Sequence, residues 1–215
     1  MAIMSDTDAR LIETMRVEPG RRVPLQAGHW RRLQSSCTAL GYAWPADALL
    51  RGVQEHIGSL DANECHRLRL LLSRSGEFVL ESNPLPALSP PVHLRLSATP
   101  LQADAVWLRH KTTHRPWYEA AQAWLAHHPE FFDVVFCNEL GEVCEGSRSN
   151  IYLLDARTNT WLTPPLDCGL LPGVQRQELL DRGRVQEARV TREQFLNAPA
   201  IRVSNALRGW LDAAL

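Results

Sequence analysis

Four prolines, at positions 84, 86, 90 and 91, crowd the stretch from Ser82 to Pro91. Proline fixes its own φ and has no N–H to give to a ladder, so no central strand can run through this stretch and it reads as a loop. The first half of the chain shows mixed helix and strand periodicities, and the second half is rich in strands. With 215 residues the chain can bury a core as one large domain or two small ones. The connector from Ala98 to Ala105 is the expected boundary. It gives a small α/β domain over 1–104 and a strand-rich α/β domain over 105–215.

In the first half, Leu11 to Val17 has strand character, and Gly20 marks a turn after it. From His29 to Leu40, Trp30, Leu33, Cys37 and Leu40 share one helical face, and Gly41 is placed to stop the helix. Pro45 suits a helix start, followed by an apolar stripe of Leu49, Leu50, Val53, Ile57 and Leu60 that reads as core. His66–Ser73 and Glu77–Glu81 flank S-R-S-G as a hairpin, and a strand is expected at Val92–Ser97. The second half opens with an expected strand ending near Lys111. A helix follows with Trp117, Ala121, Trp124 and Leu125 on one face. Three β-runs come next, Asp133–Asn138, Glu142–Glu145 and Asn150–Leu154, the first two joined at Gly141. L-L-P-G-V-Q-R begins another helix that ends near Gly183, and Ala200–Leu207 is β-prone.

Composition excludes several function classes. The apolar share is 45%, the charged share 22% and the formal net charge −1, so there is no basic footprint for nucleic acid or an anionic membrane. The start, Met1 to Thr14, lacks the basic and apolar regions of a secretory signal, and no stretch approaches a membrane span, so a cytoplasmic protein is expected. Cysteines 37, 65, 137, 144 and 168 show no CxxC pair and no zinc spacing; they read as reduced thiols, and no metal is expected.

Lys111 is the single lysine against 22 arginines. A guanidinium stays protonated, whereas a desolvated amine can lose its proton and attack a carbonyl, so a Schiff-base role is one reading and a surface residue left by arginine-rich coding bias is the other. Glu145, in V-C-E-G-S-R-S-N-I-Y, ends a hairpin strand before a glycine, where a carboxylate can point into a cleft or into solvent. Facing a pyridine nitrogen, it would keep that nitrogen protonated and the ring a better electron sink. In L-P-G-V-Q-R, the backbone amides of Val174 and Gln175 at a helix start suit a phosphate, and Arg32 could add a forked cation.

These segments together resemble the fold-type IV pyridoxal-phosphate enzymes, which include branched-chain and D-amino-acid aminotransferases and aminodeoxychorismate lyases. L-I-E-T-M-R-V-E-P-G at 11–20 resembles the family's E-T-x-R strand. His29, Arg32, Leu33 and Ser36 match its H-x-x-R-L-x-x-S helix, and Lys111 falls at its Schiff-base lysine. The stretch 132–152 resembles the longest family signature, with Glu145 as its glutamate, and 170–176 and 203–210 resemble the phosphate turn and the closing strand. The resemblance implies two α/β domains, the second a pseudo-barrel, with pyridoxal 5′-phosphate in the cleft between them, and a homodimer. Lys111 would be catalytic and cofactor-binding. Arg32, Glu145, Val174, Gln175 and Ser204 or Asn205 would also hold the cofactor, and Thr14, His114 and Tyr118 are candidate substrate-side residues.

The closing segment and H-K-T-T-H-R-P-W-Y look most like aminodeoxychorismate lyases, including domains joined to aminodeoxychorismate synthases. That implies cleavage of 4-amino-4-deoxychorismate to 4-aminobenzoate and pyruvate, a step toward folate, with a separate synthase as a candidate partner. A class IV aminotransferase acting on a small amino acid of the branched-chain or D type, or a relative without turnover, would carry the same apparatus. Two departures stand out: ten residues precede Leu11, where family members usually begin with an extra strand and a glycine-rich turn, and Gln175 replaces a threonine common in the aminotransferases. Cys144 should face away from Glu145 by strand alternation and be inert.

Overall fold

The computed structural model describes residues 9–215; residues 1–8, part of the stretch read as lacking a signal, lie outside them. Two compact units emerge. One comprises the described residues up to Ala87 together with His110–His114, the other Leu88–Arg109 with Arg115–Leu215.

In the first unit, β1 (Leu11–Val17), β2 (His66–Leu72) and β3 (Phe78–Pro84) form an antiparallel sheet in the order β1-β2-β3, beside helices α1 (Gln26–Leu40) and α2 (Ala46–Gly58). Alternation on β1 turns Leu11, Met15 and Val17 inward, where they join Leu33 and Cys37 of α1, Leu49, Val53 and Ile57 of α2, and Leu68, Leu70 and Leu72 of β2. Gly41 ends α1 at φ 69°, a left-handed backbone that a glycine adopts without strain. Two expectations change. Leu50 is 41% exposed, because Leu49, Val53 and Ile57 define the buried face of α2 and Leu50 lies one residue round the helix. The proline-rich segment is not wholly loop either: β3 continues through Pro84, which pairs opposite His66. β3 is the edge strand, so the N–H missing at Pro84 leaves no ladder bond unmade on its open side.

The second unit is built on a curled eight-stranded mixed sheet ordered β6-β5-β4-β11-β10-β7-β8-β9. Its strands are β4 (Val92–Leu96), β5 (Phe131–Cys137), β6 (Val143–Gly146), β7 (Asn150–Asp155), β8 (Thr160–Thr163), β9 (Gln186–Glu187), β10 (Ile201–Asn205) and β11 (Gly209–Ala214). Helices α3 (Glu119–His127), α4 (Val174–Asp181) and α5 (Arg192–Leu196) complete it. No strand ends near Lys111. Trp107–Arg109 form a 3-10 turn, and Thr112 makes a single antiparallel bridge to Leu11. β8, β9, β11 and α5 are additions to the sequence reading. They are short, and G-W-L-D-A-A lacks the alternation that marks a half-buried strand.

Candidate active site

The residues singled out in the sequence divide between the two units. Lys111, Arg32, Thr14 and His114 belong to the first; Glu145, Val174, Gln175, Ser204, Asn205 and Tyr118 belong to the second.

In the first unit, the segment bearing Lys111 is bolted to β1 by its backbone. Ile12 N–H donates to the Lys111 carbonyl at 2.7 Å, and Thr113 N–H donates to the Arg10 carbonyl at 2.9 Å. His110 adds a side-chain tie, its Nδ1 lying 2.9 Å from Ser36 Oγ on α1. Ser36 lies one turn beyond Arg32, so the lysine segment and the Arg32 helix are fixed to the same frame. Thr112 is fully buried, and its hydroxyl donates to the His114 carbonyl at 3.0 Å. Thr14 lies half-buried on the face of β1 opposite Glu13.

Glu13 and His29 form a cluster around Arg32 whose energetics the sequence reading did not draw. Glu13 sits on the inward face of β1, 1% exposed, and accepts from Arg32 Nε at 2.8 Å and from its Nη2 at 2.5 Å. Its Oε2 also lies 2.6 Å from Nδ1 of the fully buried His29. Burial alone would raise the Glu13 carboxyl, but the charge of Arg32 and then His29 outweighs it and holds the group at about 2. The signal was present in the pattern. A glutamate at an inward strand position between Leu11 and Met15 needs cationic partners to be tolerated there.

In the second unit, Glu145 ends β6 and is 3% exposed. Its Oε1 accepts from the Tyr118 hydroxyl at 2.7 Å. Burial pushes its carboxyl up to about 7 against the Tyr118 bond, the Arg115 charge and the Leu171 N–H, with Asp133 adding a small upward push. Glycine after Glu145 is structural, since a Cβ on Gly146 would fall on the Asp133 carboxylate. Asp133, fully buried, accepts from Ser147 Oγ at 2.7 Å, Ser149 Oγ at 2.5 Å and the Arg148 N–H at 3.2 Å, and so orders the G-S-R-S turn. Burial raises its pKa despite these donors. The lone acid in F-F-D-V-V-F was the sequence clue to it.

Leu171 links Glu145 to the candidate phosphate turn. Its backbone amide lowers the Glu145 carboxyl against burial, and its carbonyl accepts from Asn150 Nδ2 at 3.1 Å. Two residues on, Gly173 caps α4 without any side-chain cap bond, and a Cβ there would fall on Asn150 Oδ1. The first-turn amides of α4, from Val174 and Gln175, have no partner within the helix. On the neighbouring strand Ser204 pairs with Asn150 in register, is 2% exposed, and lies 2.7 Å from the Tyr152 hydroxyl. Asn205 is engaged in its own turn, donating to the Arg148 carbonyl at 3.2 Å and accepting from the Arg208 N–H at 2.8 Å. Behind the turn, buried Arg176 pairs with Glu187 and donates to the Pro164 carbonyl at 2.8 Å, fixing the start of α4.

This donor set suits an anionic, nitrogen-bearing ring. A buried carboxylate whose neutral and charged forms are balanced near pH 7 gains from a protonated nitrogen opposite it, and an uncapped helix start gains from a phosphate. Cys144 is fully buried beside Glu145, its thiol donates to the Cys168 carbonyl at 3.0 Å, and burial raises its pKa beyond nucleophilic use. Among the described residues no group of three or more His, Cys, Asp and Glu side chains could hold a metal ion, and no helix is long and apolar enough to cross a membrane.

The family model described as amino-transferase class IV matches residues 10–214. A Schizosaccharomyces pombe protein provisionally named aminodeoxychorismate lyase is 29% identical over 166 residues, which are 76% of this chain and 70% of the relative. Among solved structures, a Mesorhizobium loti protein provisionally named an amino-acid aminotransferase is 36% identical, with a TM-score of 0.87 over 97% of this chain and 100% of its own. A Legionella pneumophila protein provisionally named 4-amino-4-deoxychorismate lyase shares the fold, with a TM-score of 0.78 and 20% identity over 99% of this chain and 87% of its own.

Proposed function

Since the chain belongs to the class IV amino-transferase family, whose members are fold-type IV pyridoxal-phosphate enzymes, we propose that it is the lyase that cleaves 4-amino-4-deoxychorismate to 4-aminobenzoate and pyruvate. Bound to an amino substrate, pyridoxal phosphate supplies an electron sink for the charge left when the Cα proton departs. In this reading Lys111 Nζ would anchor the cofactor and would carry protons between the substrate's carbon atoms. Glu145 pairs with the ring nitrogen as an anion. Arg32, fixed by Glu13, and the backbone amides of Val174 and Gln175 hold the phosphate, with Ser204 beside them and Asn205 shaping the adjoining turn. Thr14 and His114 take the substrate side, and the working form is a homodimer.

The observation that supports the cofactor reading is the buried Glu145 in the same unit as the start of α4, which has no side-chain cap bond and lies three residues after Leu171, whose amide acts on Glu145. In this reading the second unit would carry both the ring-nitrogen partner and the phosphate seat. The lyase assignment leans on the S. pombe relative and on H-K-T-T-H-R-P-W-Y. Transamination of a small amino acid is the second reading, favoured by the 36% identity to the Mesorhizobium loti protein. Supplying purified protein with 4-amino-4-deoxychorismate and pyridoxal phosphate separates the two. The lyase releases 4-aminobenzoate and pyruvate in equal amounts with no 2-oxo acid acceptor added. Turnover that requires a 2-oxo acid acceptor, with no 4-aminobenzoate formed, would overturn the proposal in favour of transamination.

A further inference from the structure

Tyr118 is 1% exposed in a cluster with Ala121, Leu125, Val134 and Phe136. Its ring packs at 5.4 Å from Phe136, and the Arg115 guanidinium lies 4.7 Å from the ring centroid. A phenylalanine would satisfy all of that packing equally well. What the phenol adds is one hydroxyl, and it is spent on Glu145 Oε1 at 2.7 Å. A buried hydroxyl without a partner is costly, and a buried carboxylate more so, so each group makes the other tolerable in this core.

We propose that Tyr118 is a positioning residue that acts through Glu145, holding its carboxylate in place to receive the ring nitrogen of the cofactor. This rests on the placing of Glu145 at the ring nitrogen in the proposed function. It moves Tyr118 from the substrate side to the cofactor side. Among the described residues, the groups that act on Glu145 include the Tyr118 phenol, the Arg115 cation, the Leu171 amide and, more weakly, the Asp133 carboxyl. Arg115 is itself pinned, its Nη2 donating to the Ser147 carbonyl at 2.8 Å, so its charge cannot swing in to replace the phenol. Leu171 lies in the candidate phosphate turn, and its carbonyl accepts from Asn150 Nδ2 at 3.1 Å. Of these groups, the phenol gives the carboxylate a side-chain hydrogen bond, at 2.7 Å, and it favours the charged form. Its removal leaves Glu145 protonated to higher pH and without a fixed direction.

The test is the affinity of the apoprotein for pyridoxal phosphate and for its deaza analogue, in which carbon replaces the ring nitrogen. Both carry the same aldehyde and phosphate, so the ratio of their dissociation constants isolates the nitrogen. Equilibrium dialysis at pH 7.5 would measure them for the native protein and for Tyr118→Phe. The native protein should prefer pyridoxal phosphate by at least about tenfold, the scale of a hydrogen bond to a charged group. Tyr118→Phe should lose most of that preference while binding the deaza analogue as the native protein does. A preference kept intact in Tyr118→Phe would overturn the role of Tyr118 and leave the Glu145 reading standing. No preference in the native protein would overturn the Glu145 reading, and this proposal with it. Should Tyr118→Phe not fold, site-specific difluorotyrosine at position 118 keeps the ring and strengthens the donor. It should then raise the preference, and an unchanged preference would count against the proposal.

Discussion

Glu13 is the residue whose replacement should be felt most strongly in the first unit. Its carboxyl is held at about 2 against an ordinary value of 4.5, and it lies 1% exposed between Arg32 and His29. The folded state therefore favours the ionised form. A depression of that size corresponds to about 3 kcal/mol of stability, at about 1.4 kcal/mol per unit. Because the folded value is the lower one, this contribution is fully present above the unfolded value and fades as pH falls from 4.5 toward 2. Glu13→Gln keeps the shape but leaves the Arg32 cation in a nearly closed site without its carboxylate. The expected loss near pH 7 is about 3–5 kcal/mol, the range for breaking a buried ion pair by removing one partner. Urea denaturation at a series of pH values between 8 and 3 reads it as a lowered midpoint with an unchanged slope. Amide exchange on β1 and α1 shows whether the loss is local. The gap between native and variant proteins should narrow below pH 4.5. A loss below about 1 kcal/mol, or one that does not change between pH 6 and pH 3, would refute the assignment of Glu13 as an ionised anchor for Arg32.

Glu145 has the opposite sign, because burial raises its folded value to about 7. Its ionised form costs the apoprotein stability above pH 7, and the cost disappears as pH falls toward the unfolded value. Glu145→Gln should thus raise the apoprotein's melting temperature at pH 8.5, leave it unchanged near pH 4.5, and weaken pyridoxal-phosphate binding; equal stability at both pH values would contradict the sign. Gly173→Ala places a methyl on Asn150 Oδ1. It should destabilise the second unit by about 1–3 kcal/mol, typical of overpacking, and lower phosphate affinity at the start of α4, as phosphate-protection of that turn in hydrogen exchange would reveal. Native protein treated with a thiol reagent should be labelled at Cys65, which is half-buried, well before Cys37, Cys137, Cys144 or Cys168, all buried; peptide mapping that finds Cys144 first would show that β6 opens readily.

Much of the first unit was legible in sequence because its elements announce themselves locally. The alternation of L-I-E-T-M-R-V gives β1 residue for residue, and Gly41 and Pro45 mark where α1 stops and α2 begins. The second unit was less legible because its sheet is assembled from distant pieces. β11 lies between β4 and β10, pairing parallel with one and antiparallel with the other, and nothing local in G-W-L-D-A-A specifies either partner. Lys111 shows the same limit from another side. Its segment follows a 3-10 turn and takes its position from backbone bonds to β1, about a hundred residues earlier. The candidate residues themselves could be named from spacing and motif. Their supports, Glu13, Asp133, Asn150 and Leu171, came from three-dimensional contact, although an acid stranded among apolar strand residues marked the first two.

The most direct test of the central claim is borohydride reduction of the protein loaded with pyridoxal phosphate, followed by peptide mapping of the adduct. The account predicts a visible absorption band that reduction abolishes, with the phosphopyridoxyl group on Lys111 and on no other residue. A band that never forms when pyridoxal phosphate is added, or a reduced adduct elsewhere than Lys111, would contradict it.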